Sequence, residues 1–215
     1  MSDNLETYFD LSLSRTFAVK GATVAPPDFS PSDAAAHFKR GTVLDQKYRI
    51  IQLLGEGGMG AVYSAHHLSL NKDVALKTFR SRQVDAAAFQ RFAREAQAIA
   101  RLSHPNIVQV FDFGMSADHR PFYTMELLDG VSLAERIFKN PLSLRQTVRI
   151  FIDVAAGLAH AHKIGIIHRD VKPANIHLCE VPERPGEITA VKVVDFGIAK
   201  LAFGEEAEPA RTGRC

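Results

Sequence analysis

The chain reads as an α+β protein of two lobes, a strand-rich first lobe and a helix-rich second one. Three observations carry this. Five strand-like runs stand between residues 48 and 127 with one helical stripe among them, too many strands in succession for an alternating parallel fold. From residue 132 onward the pattern shifts to amphipathic helix. Between the long helix of that second part and a short apolar run lies an unusually polar loop, His168-Arg169-Asp170-Val171-Lys172-Pro173-Ala174-Asn175.

Bulk properties exclude several classes. The 215 residues are 46% hydrophobic and 23% charged, ordinary for a globular protein of one domain or two small ones. A net charge of +2 gives no reason to expect nucleic acid or an acidic lipid surface as partner. The two cysteines, Cys179 and Cys215, have no metal-ligand spacing and suit a reducing compartment. No apolar run is long enough to span a bilayer, and the N-terminus carries acids where a secretory signal would be basic. The expected setting is the cytoplasm, with no membrane contact.

Taken in order, residues 1–45 read as a flexible leader, with Pro26, Pro27 and Pro31 among Ser, Asp and Ala, and a short helix over 32–39. Strands are predicted over 48–54, 61–65 and 74–79, from β-branched and aromatic runs. Phe89, Phe92, Ala93, Ala96, Ile99 and Ala100 fall on one helical stripe, with Asp85 as a cap and Pro105 beyond its end. Two further strands follow over 107–113 and 121–127, joined by the turn at Asp118-His119-Arg120-Pro121. The first lobe is thus placed at 46–127 and the second at 128–215. A short helix over 132–138 begins with a Ser cap, and Ser143-Leu144-Arg145-Gln146 has the form of a capping box. The helix it opens should bury Val148, Phe151, Val154, Ala155, Leu158 and His162, and should end at Gly165. Short strands over 164–167, 176–178 and 191–194 flank the polar loop.

The chemistry begins with Gly55-Glu56-Gly57-Gly58-Met59-Gly60. A strand rather than a helix follows, so these glycines belong to a hairpin. Such a hairpin can lay backbone N–H groups over a phosphate, or it can be a plain flexible turn. Lys77 sits in an apolar strand, where an ammonium needs a partner; Glu95 on the following helix is the expected one. The alternatives are an outward-facing lysine and a solvated glutamate. Asp195-Phe196-Gly197 ends the last apolar strand, and a hairpin back to Asn175 brings an amide oxygen and a carboxylate together, as a metal bridging phosphates requires. His160 and His162 are two residues apart on a helix and do not share a face, which argues against a metal there.

Together, in order, these motifs resemble the eukaryotic-like Ser/Thr protein kinases found in bacteria. The residues that carry the resemblance are Gly55 to Gly60 with Val62, Val74-Ala75-Leu76-Lys77, Glu95, the loop from His168 to Asn175, and Asp195-Phe196-Gly197. It covers residues 48 to about 200. It implies a bilobal kinase-like fold, with a five-stranded antiparallel N-lobe carrying one helix and an incomplete helical C-lobe. It implies ATP and Mg²⁺ (or Mn²⁺) as cofactors and protein Ser/Thr hydroxyls as acceptors. Asp170 would be the catalytic base and Lys172 would face the transferring phosphoryl group. Lys77 paired with Glu95 would position ATP, and Asn175 and Asp195 would hold the metal. Adenine would lie against Leu54, Val62, Ala75 and Leu178 with Met125 at the back, and would bond to backbone around Glu126 and Leu128. Arg169 would pair with a phosphate on the activation segment, with Thr212 as the candidate site.

His177 departs from the family, which has an apolar residue there; it is expected to face away from adenine, or to be neutral and hydrogen-bonded if it faces the core. The sequence stops at Cys215 with no Ala-Pro-Glu after Asp195-Phe196-Gly197. Two readings follow: a truncated Ser/Thr kinase, and a nucleotide-binding regulatory module with little phosphotransfer. A small-molecule phosphotransferase on a related fold is disfavoured by Lys172-Pro173-Ala174-Asn175. In either reading the long helix should be left with an uncovered apolar face prone to self-association.

Overall fold

The structure, a computed structural model, describes residues 37–57, 60–79, 86–139, 141–181 and 183–197. Its first sheet has six antiparallel strands in the order β1-β2-β3-β4-β6-β5. These are β1 (Val43–Leu44), β2 (Tyr48–Gly57), β3 (Gly60–His67), β4 (Lys72–Phe79), β5 (Val110–Met115) and β6 (Pro121–Glu126). The five expected strands are there. The sixth, β1, lies inside the stretch read as leader: Leu44 is buried and pairs with Tyr48 across the turn at Asp45 and Gln46. Two residues of strand are too short to leave a period in the sequence. Residues 1–36, which hold most of the leader, lie outside the described residues, and positions 37–39 carry no helix. Phe38 packs on the sheet's outer apolar cluster instead, and its N–H donates to the Tyr63 hydroxyl at 3.3 Å.

Helix α1 (Ala86–Ala100) lies against β5, and its stripe turns inward as the spacing predicts. Phe92, Ala96 and Ile99 are buried, and Phe92 meets Phe79 and Phe113 edge-on. The expected cap, Asp85, lies outside the described residues.

The second sheet has the order β7-β8-β9, formed by β7 (Gly130–Ser132), β8 (Ile176–Val181) and β9 (Arg184–Val193), all antiparallel. Between β7 and β8 come α2 (Leu133–Lys139), α3 (Leu144–Lys163) and a 3₁₀ turn (Pro173–Asn175). The capping box forms as read: Ser143 accepts from the Gln146 N–H while the Gln146 side chain accepts from the Ser143 N–H. The face of α3 agrees with expectation at Val154 and Leu158 but not at Val148, Phe151, Ala155 and His162. Its buried residues are Ile150, Val154, Gly157 and Ala161, whereas Val148 and Phe151 are about half exposed. Gly157 sets that face, because a Cβ there would stand 2.9 Å from the Asn106 carbonyl oxygen. Nor is there a strand over 164–167. The N–H groups of Ile164 and Ile166 both close on the Ala161 carbonyl, so this run finishes the helix C-terminus.

The two sheets are knitted by residues 106–108. Val108 N–H donates to Val193 O at 3.0 Å, Val193 N–H to Asn106 O at 2.9 Å, and the Asn106 amide to Val191 O at 3.0 Å. Glu126 at the end of β6 meets Lys192 of β9 at 2.6 Å. One apolar cluster runs through both sheets, from Leu54 and Val62 through Met125 to Leu178 and Val193.

Candidate active site

Leu54, Val62, Ala75, Met125 and Leu178, expected from sequence to enclose one ligand, fall in a single apolar cluster contributed by five different strands. Ala75 stands opposite Met125, and Val62 opposite Lys77. Glu126 faces sideways: its carboxylate takes the Gln109 N–H at 2.8 Å and the Lys192 ammonium, while its own N–H donates to Gln109 O. That N–H is therefore committed within the protein. Leu128, half-buried in the loop between β6 and β7, follows it.

The glycine hairpin forms between β2 and β3, with Gly55 opposite Val62, Glu56 opposite Ala61 and Gly57 opposite Gly60. Gly58 and Met59 lie outside the described residues. Gly60 has a strict reason to be glycine. Its φ is +153°, and a Cβ would sit 1.9 Å from the Thr78 carbonyl oxygen of β4. A side chain there would force β3 off β4 and move the hairpin away from the cleft.

The polar loop is built on His168, which is buried. Its Nε2–H donates to Val194 O at 2.8 Å, and its Nδ1 accepts the Asp170 N–H at 3.3 Å. One neutral tautomer satisfies both bonds. Burial pushes the His168 pKa below the ordinary value, against the Val194 carbonyl and the Asp195 and Asp170 carboxylates. The ring also packs on Phe196, centroids 4.5 Å apart, so the loop and the Asp195-Phe196-Gly197 turn are one unit. Arg169 pays for the turn with a φ of +62°. Asp170 is then held by Asn175 and Lys172. The Asn175 amide donates to its backbone carbonyl at 2.8 Å and to Oδ2 at 3.0 Å, and the Lys172 ammonium is 2.9 Å from Oδ2.

The hairpin expected between Asn175 and Asp195 forms in the backbone. Val194 N–H donates to Asn175 O at 2.9 Å, and Ile176 pairs with Val193. Because the Asn175 amide nitrogen is spent on Asp170, the oxygen of that amide is the atom left for a ligand. An amide oxygen and a carboxylate are both hard oxygen donors of the kind that suits Mg²⁺ or Mn²⁺.

Lys77 departs from the expected pairing. Its ammonium lies 2.6 Å from Asp195 Oδ2, both side chains being little more than a tenth exposed (11% and 12%). Among the described residues no Lys77–Glu95 ion pair forms, and Glu95 lies half-buried on α1. The Asp195 carboxylate is largely enclosed, and leaving its charge unneutralised there would be costly. On its other oxygen, Oδ1, Asp195 accepts the Tyr123 hydroxyl at 2.7 Å. Burial alone would raise the Asp195 pKa. The Lys77 charge and hydrogen bond, with Tyr123, override it and hold the carboxyl below its usual range.

Two site residues were not read from the sequence. Tyr123 had a signal: a tyrosine among the apolar residues of a strand needs a partner for its hydroxyl. Lys192 had none, because the Glu126 it binds is 66 residues away. His177, expected to turn from the core or to be neutral within it, is fully buried, and burial lowers its pKa to about 4 against the Asp129 backbone and the nearby Glu135 and Asp129 charges. Thr212, the expected phosphosite, lies outside the described residues.

Residues 48–213 match the protein kinase domain family. The serine/threonine-protein kinase pkn3 of Myxococcus xanthus is 44% identical over 174 residues, which are 80% of this chain and 31% of that protein. The serine/threonine-protein kinase PknB of Mycolicibacterium smegmatis is 41% identical over 162 residues, 73% of this chain and 25% of that protein. The chain thus spans a third or less of the length of these curated relatives. Among solved structures, the Mycobacterium tuberculosis PknI kinase domain is similar, with a TM-score of 0.65 and 30% identity over 80% of this chain and 71% of that one. Rad53 in complex with AMP-PNP matches at a TM-score of 0.60 and 25% identity, over 71% of this chain and 38% of that one. With the motifs in order, the two sheets joined as described and the match covering most of the chain, the protein belongs to the protein kinase family, among relatives that are bacterial Ser/Thr kinases.

Proposed function

We propose that the chain binds Mg·ATP between its two sheets and transfers the γ-phosphoryl group to Ser or Thr hydroxyls of a protein. The observation that carries this is the built state of Asp170. Its carboxylate is gripped by Asn175 and Lys172 on a loop that His168 ties to the Asp195 turn. A polar turn that only capped itself would not need a buried histidine bridging two segments 26 residues apart.

In this reading adenine occupies the Leu54, Val62, Ala75 and Leu178 slot with Met125 behind it, and bonds to the Leu128 backbone. Gly55 to Gly60, with Glu56 and Met59 among them, cover the phosphates. Asn175 and Asp195 would hold Mg²⁺, which supplies charge neutralisation at the phosphate oxygens. Asp170 orients the acceptor hydroxyl and takes its proton as the oxygen attacks phosphorus. Lys172 stabilises charge on the transferring group, and Lys77, with Glu95 as its second carboxylate partner, positions the other phosphates. The work is positioning and electrostatics, with no covalent intermediate on the protein. Such a protein belongs in the cytoplasm, where ATP and Mg²⁺ are. Among the described residues no helix is long and apolar enough to cross a membrane.

A second reading, a nucleotide-binding regulatory module with weak phosphotransfer, draws on one observation: Lys77 is engaged with Asp195 rather than Glu95. Transfer of labelled γ-phosphate to the chain itself and to a basic Ser/Thr protein substrate separates the two. Asp170→Asn should lower the rate by about 10²- to 10⁴-fold if Asp170 is the base. Nucleotide binding with no Asp170-dependent transfer leaves the regulatory module standing.

A further inference from the structure

Strand register sets Lys77 of β4 directly opposite Tyr123 of β6. Both side chains end on one carboxylate, the ammonium 2.6 Å from Asp195 Oδ2 and the hydroxyl 2.7 Å from Oδ1. The Tyr123 ring is 2% exposed and packs near Phe79, centroids 6.0 Å apart. A phenylalanine would fill the same space, so packing does not account for the hydroxyl. Its bond to Asp195 does.

The backbone of Asp195 is already fixed, with φ at +58° and its carbonyl accepting the Gly197 N–H at 2.7 Å. What remains soft is rotation of the carboxylate about its last bond, a broad torsion with little intrinsic preference. One donor on one oxygen leaves that rotation free. Two donors, one on each oxygen and from adjacent strands, stop it. Each oxygen of an ionised carboxylate has two acceptor sites, so one on each is spent on the protein and the other stays available.

We infer that Tyr123 is a positioning residue for the cation-binding aspartate: its hydroxyl fixes the rotation of the Asp195 carboxylate and thereby sets how tightly the site takes a divalent cation with nucleotide. This rests on the proposed Mg·ATP reading. It assigns no contact between Tyr123 and substrate.

The test is a Mg²⁺ titration of AMP-PNP binding by calorimetry, on the full chain and on Tyr123→Phe. Loss of an outer partner of a metal ligand weakens metal binding by about 10- to 100-fold, so the Mg²⁺ half-saturation should rise about tenfold. Metal-free AMP-PNP binding should stay within about twofold, since the adenine slot is untouched. In an Asp195→Asn background, Tyr123→Phe should have no further effect on the titration; a merely structural role would add. Tyr123→Met, a second variant without the donor, should behave like Tyr123→Phe. A Mg²⁺ half-saturation that is unchanged or lower in both variants overturns the inference while leaving the Mg·ATP reading intact. AMP-PNP binding that Mg²⁺ does not strengthen even in the unaltered chain overturns the reading and the inference with it.

Discussion

Replacing Lys192 by Met removes the ammonium that ties β9 to the end of β6 while keeping most of the side chain's apolar length. The lost contact is 2.6 Å long and its partners are 17% and 25% exposed, so it lies between a surface pair and a fully buried one. Exposed pairs contribute about 0–1 kcal/mol. Breaking a buried pair costs about 3–5 kcal/mol because one charge is left behind. Here Glu126 keeps the Gln109 N–H at 2.8 Å, so the remaining carboxylate is not orphaned. The expected cost is about 2 kcal/mol, in the range for a hydrogen bond to a charged group. With a urea slope of about 2 kcal/mol/M, the unfolding midpoint should fall by about 1 M. A double-mutant cycle with Glu126→Gln should return a coupling of about 1–2 kcal/mol that survives added salt. A cost below about 0.5 kcal/mol, or zero coupling, would refute the argument that this pair clasps the two sheets.

Gly60→Ala should destabilise by about 2–4 kcal/mol in the same urea assay, because it adds a left-handed φ and a clash with Thr78 O. Gly57→Ala, with nothing within 4 Å of its added Cβ, should cost less than about 1 kcal/mol. Lys77→Met should cost the nucleotide-free chain about 3 kcal/mol by stranding Asp195, whereas Glu95→Gln should cost under about 1 kcal/mol; equal losses would put the ion pair on Glu95 instead. Phe151→Glu with Ile152→Glu, at positions 55% and 63% exposed, should shift sedimentation toward monomer with little change in stability. His177, with a folded pKa of about 4 against an ordinary 6.5, contributes stability above pH 6.5 that is lost as pH falls toward 4; about 2 kcal/mol should be gone by pH 5, and His177→Leu should flatten that slope.

What was legible in the sequence was local. The glycine hairpin, the strand carrying Lys77 and the loop from His168 to Asn175 are short motifs whose residue types suffice to place them, and each stands in its expected element. The buried face of α3 was legible only in part, at Val154 and Leu158. Apolar residues occur around much of that helix, so periodicity offered Val148 and Phe151 as readily as Ile150 and Val154. The choice is made by a residue that carries no hydrophobic signal, Gly157, whose missing Cβ admits the Asn106 carbonyl. The β-branched run over 164–167 misled for a related reason. Its composition suits a strand, but its N–H groups are drawn back to Ala161 by the helix end.

The partner of Lys77 lies deeper still beyond the sequence, because it depends on which carboxylate is worse off alone. Spacing along the chain puts Glu95 on the neighbouring helix and Asp195 far away at the end of β9, and favours the former. Packing reverses the order. Asp195, its side chain only 12% exposed, takes Tyr123 on one oxygen and Lys77 on the other. Desolvation makes an unpaired Asp195 the costlier outcome, so the ammonium goes there. The enclosure of Asp195 thus makes it the better partner for Lys77. Burial rather than nearness along the chain decides where the Lys77 ammonium rests.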